Sequence, residues 1–225
     1  RLGEANCIRS LGDVALAIND TGEALACYQA ALEQYRALEL PNDMAGAATR
    51  IADLYERGKE YAQSEAHYTQ AIDLAPENPM WRRNRAILYT KLGDAARAAA
   101  DLAGAARLQP DHPFLHLRYG DLALLQARYA DAGAHYRSFI AVLPNANSGH
   151  FGLALALAGL GDREGSLAAL EQALALTYER QDVIDASEDV ERMAQRDAQL
   201  GAGELLLPRL RAWLEAHPLE ALPPK

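Results

Sequence analysis

Residues 45–78 read AGAATRIADLYERGKEYAQSEAHYTQAIDLAPEN and contain the pattern on which the fold prediction rests. Apolar residues recur at three- and four-residue spacing, first at Ile51 and Leu54 and then at Tyr68 and Ile72. This spacing is typical of helices that bury one face. Pro76 then ends the second helix, because proline lacks an N–H and disfavours helical conformation in the residue before it. The segment predicts a helix, a tight turn and a second helix.

The same 34-residue pattern recurs along the chain, and residues within each unit are numbered here as repeat positions 1 to 34. Small residues recur at three fixed positions of each unit, with Phe139 as an exception, so that helix backbones can approach closely. One such hairpin cannot bury its apolar face alone, so neighbouring units must stack on it. The five predicted units are 5–38, 45–78, 79–112, 113–146 and 147–180.

This pattern resembles the tetratricopeptide repeat family. The residues that carry the resemblance include Leu11-Gly12, Ala24, Tyr28 and Ala31 in the first unit, Tyr55, Tyr68, Ala71 and Pro76 in the second, and Tyr89, Ala98, Ala105 and Pro110 in the third. The resemblance implies an all-α fold, a right-handed α-solenoid of stacked hairpins over residues 1–180. It also implies a binding surface on the concave side, which the first helix of each hairpin lines.

Residues 181–225 depart from the repeat and predict atypical capping helices followed by a tail. Asp185 to Glu188 resembles a capping box that opens one helix, whose apolar stripe continues to Ala198. A second helix is expected over residues 204–216, and residues 219–225 are expected to fray. Such a segment would cover the exposed end of the last repeat.

Three repeat positions and one spacing are irregular. Arg85 and Tyr119 occupy a position where the family has leucine, and Phe139 occupies one where it has alanine. Six extra residues, 39–44, follow the first unit, and residues 1–4 align with 41–44. From this alignment we expect the chain to be a fragment of a larger protein, and the longer spacing resembles arrays in bacterial signalling proteins.

Composition narrows the function classes. The 225 residues carry 22 Lys+Arg against 31 Asp+Glu, a formal net charge of −9, which argues against a nucleic-acid partner. Half of the residues are hydrophobic, which excludes a disordered polymer, and no apolar run reaches the ~20 residues of a membrane span. We predict a cytoplasmic protein whose two cysteines, Cys7 and Cys27, are reduced; the oligomeric state stays open.

The sequence offers little sign of catalysis, so we predict no enzyme, no cofactor and no metal. The histidines at 112, 116, 135 and 150 are interpreted as packing or surface residues rather than metal ligands, since no metal-binding spacing is present. No serine lies in a nucleophile elbow and no glycine-rich phosphate loop occurs. The basic run Arg82 to Arg85 is interpreted as a solvated or ion-paired face rather than a nucleic-acid site.

The resemblance places a peptide-binding groove on the first helices. The predicted lining residues are Arg9, Asp13, Arg50, Asp53, Arg83, Asn84, Ile87, Phe114, Leu117, Arg118, Asp121, Phe151 and Leu155. The arginines would hold carboxylates of the ligand. The apolar residues at the C-terminal end either form an anchor pocket or are covered by the capping helices. Only Asn84 and Arg118 match the five-residue clamp by which one subgroup binds heat-shock chaperones, so no chaperone partner is predicted.

Two functions follow as expectations. The first is a non-catalytic scaffold or sensor module that binds a peptide or protein in the groove. The alternative is a substrate-recruiting appendage of an enzyme, a signalling NTPase or a glycosyltransferase, whose catalytic domain lies outside these residues.

Overall fold

The computed structural model describes residues 1–197 and 201–218, and these form helices without any strand. The helices are α1 (Leu2–Ala17), α2 (Thr21–Ala37), α3 (Pro41–Arg57), α4 (Tyr61–Leu74), α5 (Pro79–Lys91), α6 (Ala95–Leu108), α7 (Pro113–Leu125), α8 (Tyr129–Val142), α9 (Asn147–Gly159), α10 (Arg163–Ala175), α11 (Arg180–Arg196) and α12 (Ala202–Ala216). The predicted all-α fold class is confirmed.

The chain divides into two compact units, of which the first is Arg1–Asp111 with α1 to α6. Inside it, α1–α2, α3–α4 and α5–α6 form antiparallel hairpins, and the second helix of each hairpin packs on the first helix of the next. The second unit begins at His112. There α7–α8 and α9–α10 form hairpins, and α11 and α12 pack on each other and on α9.

The turn inside each hairpin has one geometry. A residue with positive φ ends the turn before the second helix, at Asn19, Lys59, Gly93, Ala127 and Gly161, with φ between 55° and 78°. These residues are 40, 34, 34 and 34 apart, which is the repeat spacing of the sequence. In three hairpins the next residue is an aspartate that caps the second helix: Asp20, Asp94 and Asp162 each accept a backbone N–H three residues on.

Two of the three irregular positions, Arg85 and Phe139, are accommodated by their neighbours. Arg85, at the leucine position, makes a two-bond salt bridge to Asp101, with N···O distances of 2.7 and 2.8 Å, and also donates to Thr69. Phe139 is fully buried above Gly149, where a Cβ would lie 2.6 Å from the phenyl ring. The large residue on α8 is thus matched by a missing side chain on α9.

The start of the first capping helix was predicted wrongly. Helix α11 begins at Arg180 and its N-cap is Glu179, so the expected capping box, 185–188, lies inside the helix. Buried Val183, Ala186 and Val190 explain the earlier start, because the apolar face begins before Asp185. Helix α12 starts at Ala202, two residues before the prediction. The predictions for Ala198 and for residues 219–225 concern positions outside the described residues.

Candidate functional site

Three of the predicted groove residues are aspartates that accept hydrogen bonds from buried tyrosines. Each bond joins the first helix of a hairpin to its second helix, over a separation of fifteen residues. The bonds are Tyr28 Oη to Asp13 Oδ1 at 2.7 Å, Tyr68 Oη to Asp53 Oδ1 at 2.5 Å, and Tyr136 Oη to Asp121 Oδ1 at 2.8 Å. These carboxylates therefore stabilise the hairpins.

The other two hairpins have apolar residues at both of these positions. In the third hairpin the two positions hold Ile87 and Leu102, and in the fifth they hold Leu155 and Leu170. Each pair is again separated by fifteen residues. A buried tyrosine hydroxyl needs an acceptor, whereas a leucine does not. Aspartate and tyrosine are thus present together or absent together. This pairing of aspartate with tyrosine is visible in the sequence only when the repeats are compared with one another. A prediction made for each position separately does not reveal it.

Burial perturbs the titration of these pairs. Desolvation raises the pKa of Asp53 to about 6, Tyr68 works in the opposite direction through its hydrogen bond, and nearby Glu56 raises the pKa further. Desolvation also raises the pKa of Tyr28 to about 12 and that of Tyr136 well above its ordinary value. The tyrosines therefore remain protonated donors at neutral pH.

Ion pairs connect neighbouring first helices of the N-terminal unit. Arg50 Nη2 of α3 lies 3.6 Å from Asp13 Oδ1 of α1, and Lys91 Nζ of α5 lies 2.6 Å from Glu56 Oε1 of α3. Together with Asp53, these four residues define a polar surface on α1, α3 and α5, which we call the first-helix face. The side chain of Arg50 is 49 % exposed on it.

The remaining predicted residues of this unit are Arg9, Arg83, Asn84 and Ile87, all half-buried on α1 or α5. In the C-terminal unit, Arg118 makes an ion pair of 2.8 Å with Asp121 on its own helix. Its charge therefore supports the carboxylate that accepts the Tyr136 hydroxyl.

The predicted apolar end of the groove is mostly packed into the core. Leu117 and Leu155 are only 2 % and 6 % exposed, so their assignment as groove-lining residues is corrected. Leu155 shares a core cluster with Val183 of α11 and Leu206 of α12, and Phe151 packs against that cluster. Capping helices cover this surface because it would otherwise expose several large apolar side chains. Leu117 lies in the α7–α8–α9 core.

Phe114 is the exception among the four apolar residues. It is 40 % exposed, and its ring packs edge-to-face on Phe139 at a centroid distance of 5.4 Å. A single exposed ring of this kind provides a contact point rather than a pocket.

Comparison with known proteins identifies the family. The family profile described as tetratricopeptide repeat matches residues 9–79, 49–113 and 83–149, which together cover more than half of the chain. The chain belongs to the tetratricopeptide repeat family. It is a helical-repeat module of the kind that mediates protein interactions.

Curated relatives share parts of this tetratricopeptide chain. The heat-shock protein cognate co-chaperone sgt12 of Aspergillus fumigatus is 32 % identical over 122 residues, 51 % of this chain and 36 % of the relative. The tetratricopeptide thioredoxin TTL4 of Arabidopsis thaliana is 34 % identical over 82 residues, and cellulose synthase operon protein C of Pseudomonas fluorescens 29 % over 113. These matches cover 36 % and 49 % of this chain but 12 % and 9 % of the relatives. The chain thus spans about a third or less of the length of these relatives.

Solved structures share the tetratricopeptide fold. The type IV pilus biogenesis factor PilW superposes with a TM-score of 0.67 and 17 % identity, covering 95 % of this chain and 93 % of that one. The APC/C hetero-tetramer Cut9-Hcn1 gives a TM-score of 0.69 and 16 % identity, covering 92 % of this chain and 42 % of that one. At these identities the likeness concerns the fold alone.

Four histidines of the tetratricopeptide hairpins, 112, 116, 135 and 150, contact neighbouring groups of the chain. His112 caps α7 by accepting the Phe114 N–H, and His150 lies 2.9 Å from the carbonyl oxygen of Pro144. His116 and His135 approach to 3.4 Å between their Nδ1 atoms, and burial together with His116 lowers the pKa of His135. Among the described residues no three metal-ligating side chains come together.

Two arginines of the basic run of α5, Arg82 and Arg85, bind groups of the tetratricopeptide unit to which they belong. Arg82 donates to the carbonyl oxygen of Pro76 at 2.6 Å, and Arg85 is held by Asp101. Two of its guanidinium groups are therefore bound to their own unit. Over residues 1–197 and 201–218, no helix combines the length and the apolar character needed to cross a membrane.

Proposed function

We propose that this tetratricopeptide chain binds a carboxylate-bearing segment of a partner protein on the first-helix face. The observation that supports this most directly is the state of Arg50. The Arg50 side chain is 49 % exposed, and its Nη2 lies 3.6 Å from Asp13 Oδ1, beyond the ordinary hydrogen-bond distance. A guanidinium has five donors in a planar fork, so Arg50 can still bind a ligand carboxylate through two hydrogen bonds.

The distribution of arginines also supports an acidic ligand. The first helices of the first four hairpins carry one arginine each at repeat position five or six: Arg9, Arg50, Arg83 and Arg118. Three of them belong to the N-terminal unit. An extended segment crossing α1, α3 and α5 would meet these three side chains in turn, which is how peptide-recognition domains commonly read a motif.

The hairpin bonds refine the set of residues proposed to contact the ligand. Asp13 and Asp53 hold tyrosine hydroxyls, so we assign them to scaffold stability rather than to recognition. Arg50 of the first-helix face, with Arg9, Arg83 and Asn84 of the helices that carry this face, is proposed to make polar contacts, and Ile87 an apolar one. Phe114 is proposed as a contact point of the C-terminal unit by itself.

A selection experiment tests the proposal. A phage-displayed library of random dodecamers is panned on the immobilised chain, and the affinities of selected peptides are measured by fluorescence anisotropy. We expect enrichment of Asp and Glu, and binding that is at least about tenfold weaker to the Arg50→Glu variant, because a carboxylate then faces a carboxylate. Arg36→Glu is the matched control, since Arg36 is 51 % exposed on α2 and pairs with Glu33 of the same helix.

Two results would contradict the proposal. Equal affinities for the parent chain and Arg50→Glu would remove the first-helix face from recognition. Equal losses in Arg50→Glu and Arg36→Glu would indicate that overall charge, rather than this face, attracts the peptides. Arg118 is less suitable for such a reversal, because it contacts Asp121 at 2.8 Å, whereas Arg50 lies 3.6 Å from Asp13.

A second candidate is that the chain is the recruiting part of a larger enzyme. It is supported by the small share of the thioredoxin TTL4 and of cellulose synthase operon protein C that this chain matches, 12 % and 9 % of their lengths. The domain content of the complete gene would distinguish this candidate from a stand-alone scaffold.

A further inference from the structure

The fourth hairpin, α7–α8, carries two histidines whose rings meet between the two helices. Nδ1 of His116 on α7 lies 3.4 Å from Nδ1 of His135 on α8, and the ring centroids are 5.7 Å apart. Since the centroids lie farther apart than the nitrogens, the two Nδ1 atoms point toward each other. His135 is half-buried, whereas His116 is exposed. We call this contact the histidine pair.

A third ring packs on His135. Tyr119 of α7 lies against it, with ring centroids 5.6 Å apart and ring planes inclined by 29°. Tyr119 and His135 occupy repeat positions 7 and 23, which in the third hairpin hold Arg85 and Asp101. Those two form a salt bridge between α5 and α6. The place of a salt bridge in the third hairpin is thus taken by an imidazole contact in the fourth.

The histidine pair tolerates one positive charge but not two. In an N–H···N contact one imidazole donates and the other accepts, so the accepting ring must be neutral. A second positive charge requires a proton on both Nδ1 atoms, which removes the acceptor. Two N–H groups of like charge then face each other, and the contact becomes repulsive.

The surroundings weaken the binding of that second proton. Burial, and after it the charge of His116, lowers the pKa of His135. Helix α9 also packs on α8, and its side chains nearest to Gly133 of α8 are Leu153 and Ala156, which carry no charge. The folded chain therefore binds the proton less tightly than the unfolded chain. The stability of the hairpin should fall as pH decreases through about 6.5, the ordinary pKa of histidine.

The charged groups near the pair do not offset a second positive charge. Within α8, Asp131 acts to raise the pKa of His135, and Arg128 acts to lower it. These two side chains form an ion pair with an N···O distance of 2.9 Å, so their charges largely compensate each other. On α7, Arg118 is likewise paired with Asp121, at 2.8 Å.

We propose that the histidine pair is an acid-sensitive latch of the α7–α8 hairpin. It joins the two helices while at least one ring is neutral, and it opens when both rings are protonated. The pair lies on α7 and α8 and does not involve the first-helix face, so the proposal is independent of the peptide-binding function. The third hairpin, with a salt bridge at the matching positions, should not loosen over the same pH range.

Hydrogen exchange measured by mass spectrometry tests the latch. Exchange rates of peptides from α8 and from α6 are compared in the same samples, with each rate corrected for the intrinsic pH dependence of amide exchange. Between about pH 7.5 and about pH 5.5 we expect the protection of α8 to fall by at least about threefold relative to α6. Helix α6 is the internal reference because it belongs to the hairpin with the salt bridge.

Two substitutions of His116 should change this response in different ways. His116→Gln should abolish it, because glutamine takes up no proton. His116→Asp should reverse it, because a protonated His135 would then face a carboxylate. His150→Gln is the matched control: His150 lies on α9 of the same unit and contacts the carbonyl oxygen of Pro144 rather than another imidazole. This control should respond to acid as the parent chain does.

A titration of the parent chain keeps the proposal testable where a variant folds poorly. The NMR signal of the His135 ring, assigned with His135→Gln, should titrate at a pH at least about 0.5 below the ordinary value of about 6.5. Titration at or above that value would overturn the proposal. So would equal acid responses of the parent and His116→Gln, since other groups would then cause the loosening. Equal losses of protection in α6 and α8 would mean that acid weakens the whole chain rather than this hairpin.

Discussion

The salt bridge between Arg85 and Asp101 allows a quantitative prediction. Asp101→Ala removes the carboxylate that accepts both hydrogen bonds of Arg85, at 2.7 and 2.8 Å. The two side chains are 18 % and 8 % exposed, so the guanidinium would remain largely buried, with the Thr69 hydroxyl as its hydrogen-bond partner and the Tyr89 ring 5.7 Å away. Breaking a buried ion pair costs about 3–5 kcal/mol, and the partial exposure of Arg85 favours the lower end, about 3 kcal/mol.

Urea unfolding followed by tryptophan fluorescence measures this loss in the unit that contains the salt bridge. The chain has two tryptophans, and Trp81 of α5 is buried in the N-terminal unit. Trp213→Phe in all variants removes the signal of the C-terminal unit. The expected loss of about 3 kcal/mol corresponds to a decrease of roughly 6–12 °C in the thermal midpoint for a chain of this size.

Two comparisons make the prediction decisive. The double variant Arg85→Leu with Asp101→Leu should recover to within about 1 kcal/mol of the parent, because an apolar pair leaves no charge unpaired. Glu33→Ala, which breaks the exposed pair with Arg36, should cost less than about 0.5 kcal/mol. If Asp101→Ala costs no more than Glu33→Ala, the reasoning that a buried guanidinium needs this carboxylate is refuted.

Two further predictions concern packing and pH. Gly152→Ala should cost about 1–3 kcal/mol, because its Cβ would overlap the Tyr136 ring. Gly46→Ala, where nothing lies within 4 Å, should be neutral or stabilising by up to about 1 kcal/mol; equal unfolding free energies for the two variants would contradict this. The pKa of Asp53, about 6 in the folded chain against an ordinary 3.8, means that the folded state binds this proton more tightly. Its contribution to stability should therefore fall as pH rises from about 4 to about 6, by at most about 2 kcal/mol because Asp53 is partly exposed. Asp53→Asn, which can still accept from Tyr68, should remove this part of the pH dependence in urea titrations, and unchanged slopes would exclude it.

Much of the fold follows from local sequence rules. Apolar spacing predicts the helices, and the 34-residue recurrence predicts how they pair. Residues such as Gly93 and Asp94 mark the turns by their own conformational and capping preferences. The start of α11 was missed because a capping-box pattern at Asp185 can also lie within a helix when an apolar face continues upstream.

The sequence by itself determined the repeat architecture, since periodicity and small-residue positions act through short-range geometry that every hairpin shares. Only the tertiary structure decided the role of individual side chains. It made Asp53 the acceptor of the Tyr68 hydroxyl, placed Leu155 in one core cluster with the capping helices, and left Leu11 exposed. The physical reason is that hydrogen bonding and burial depend on what the neighbouring helix supplies, and residues of identical repeat position meet different neighbours.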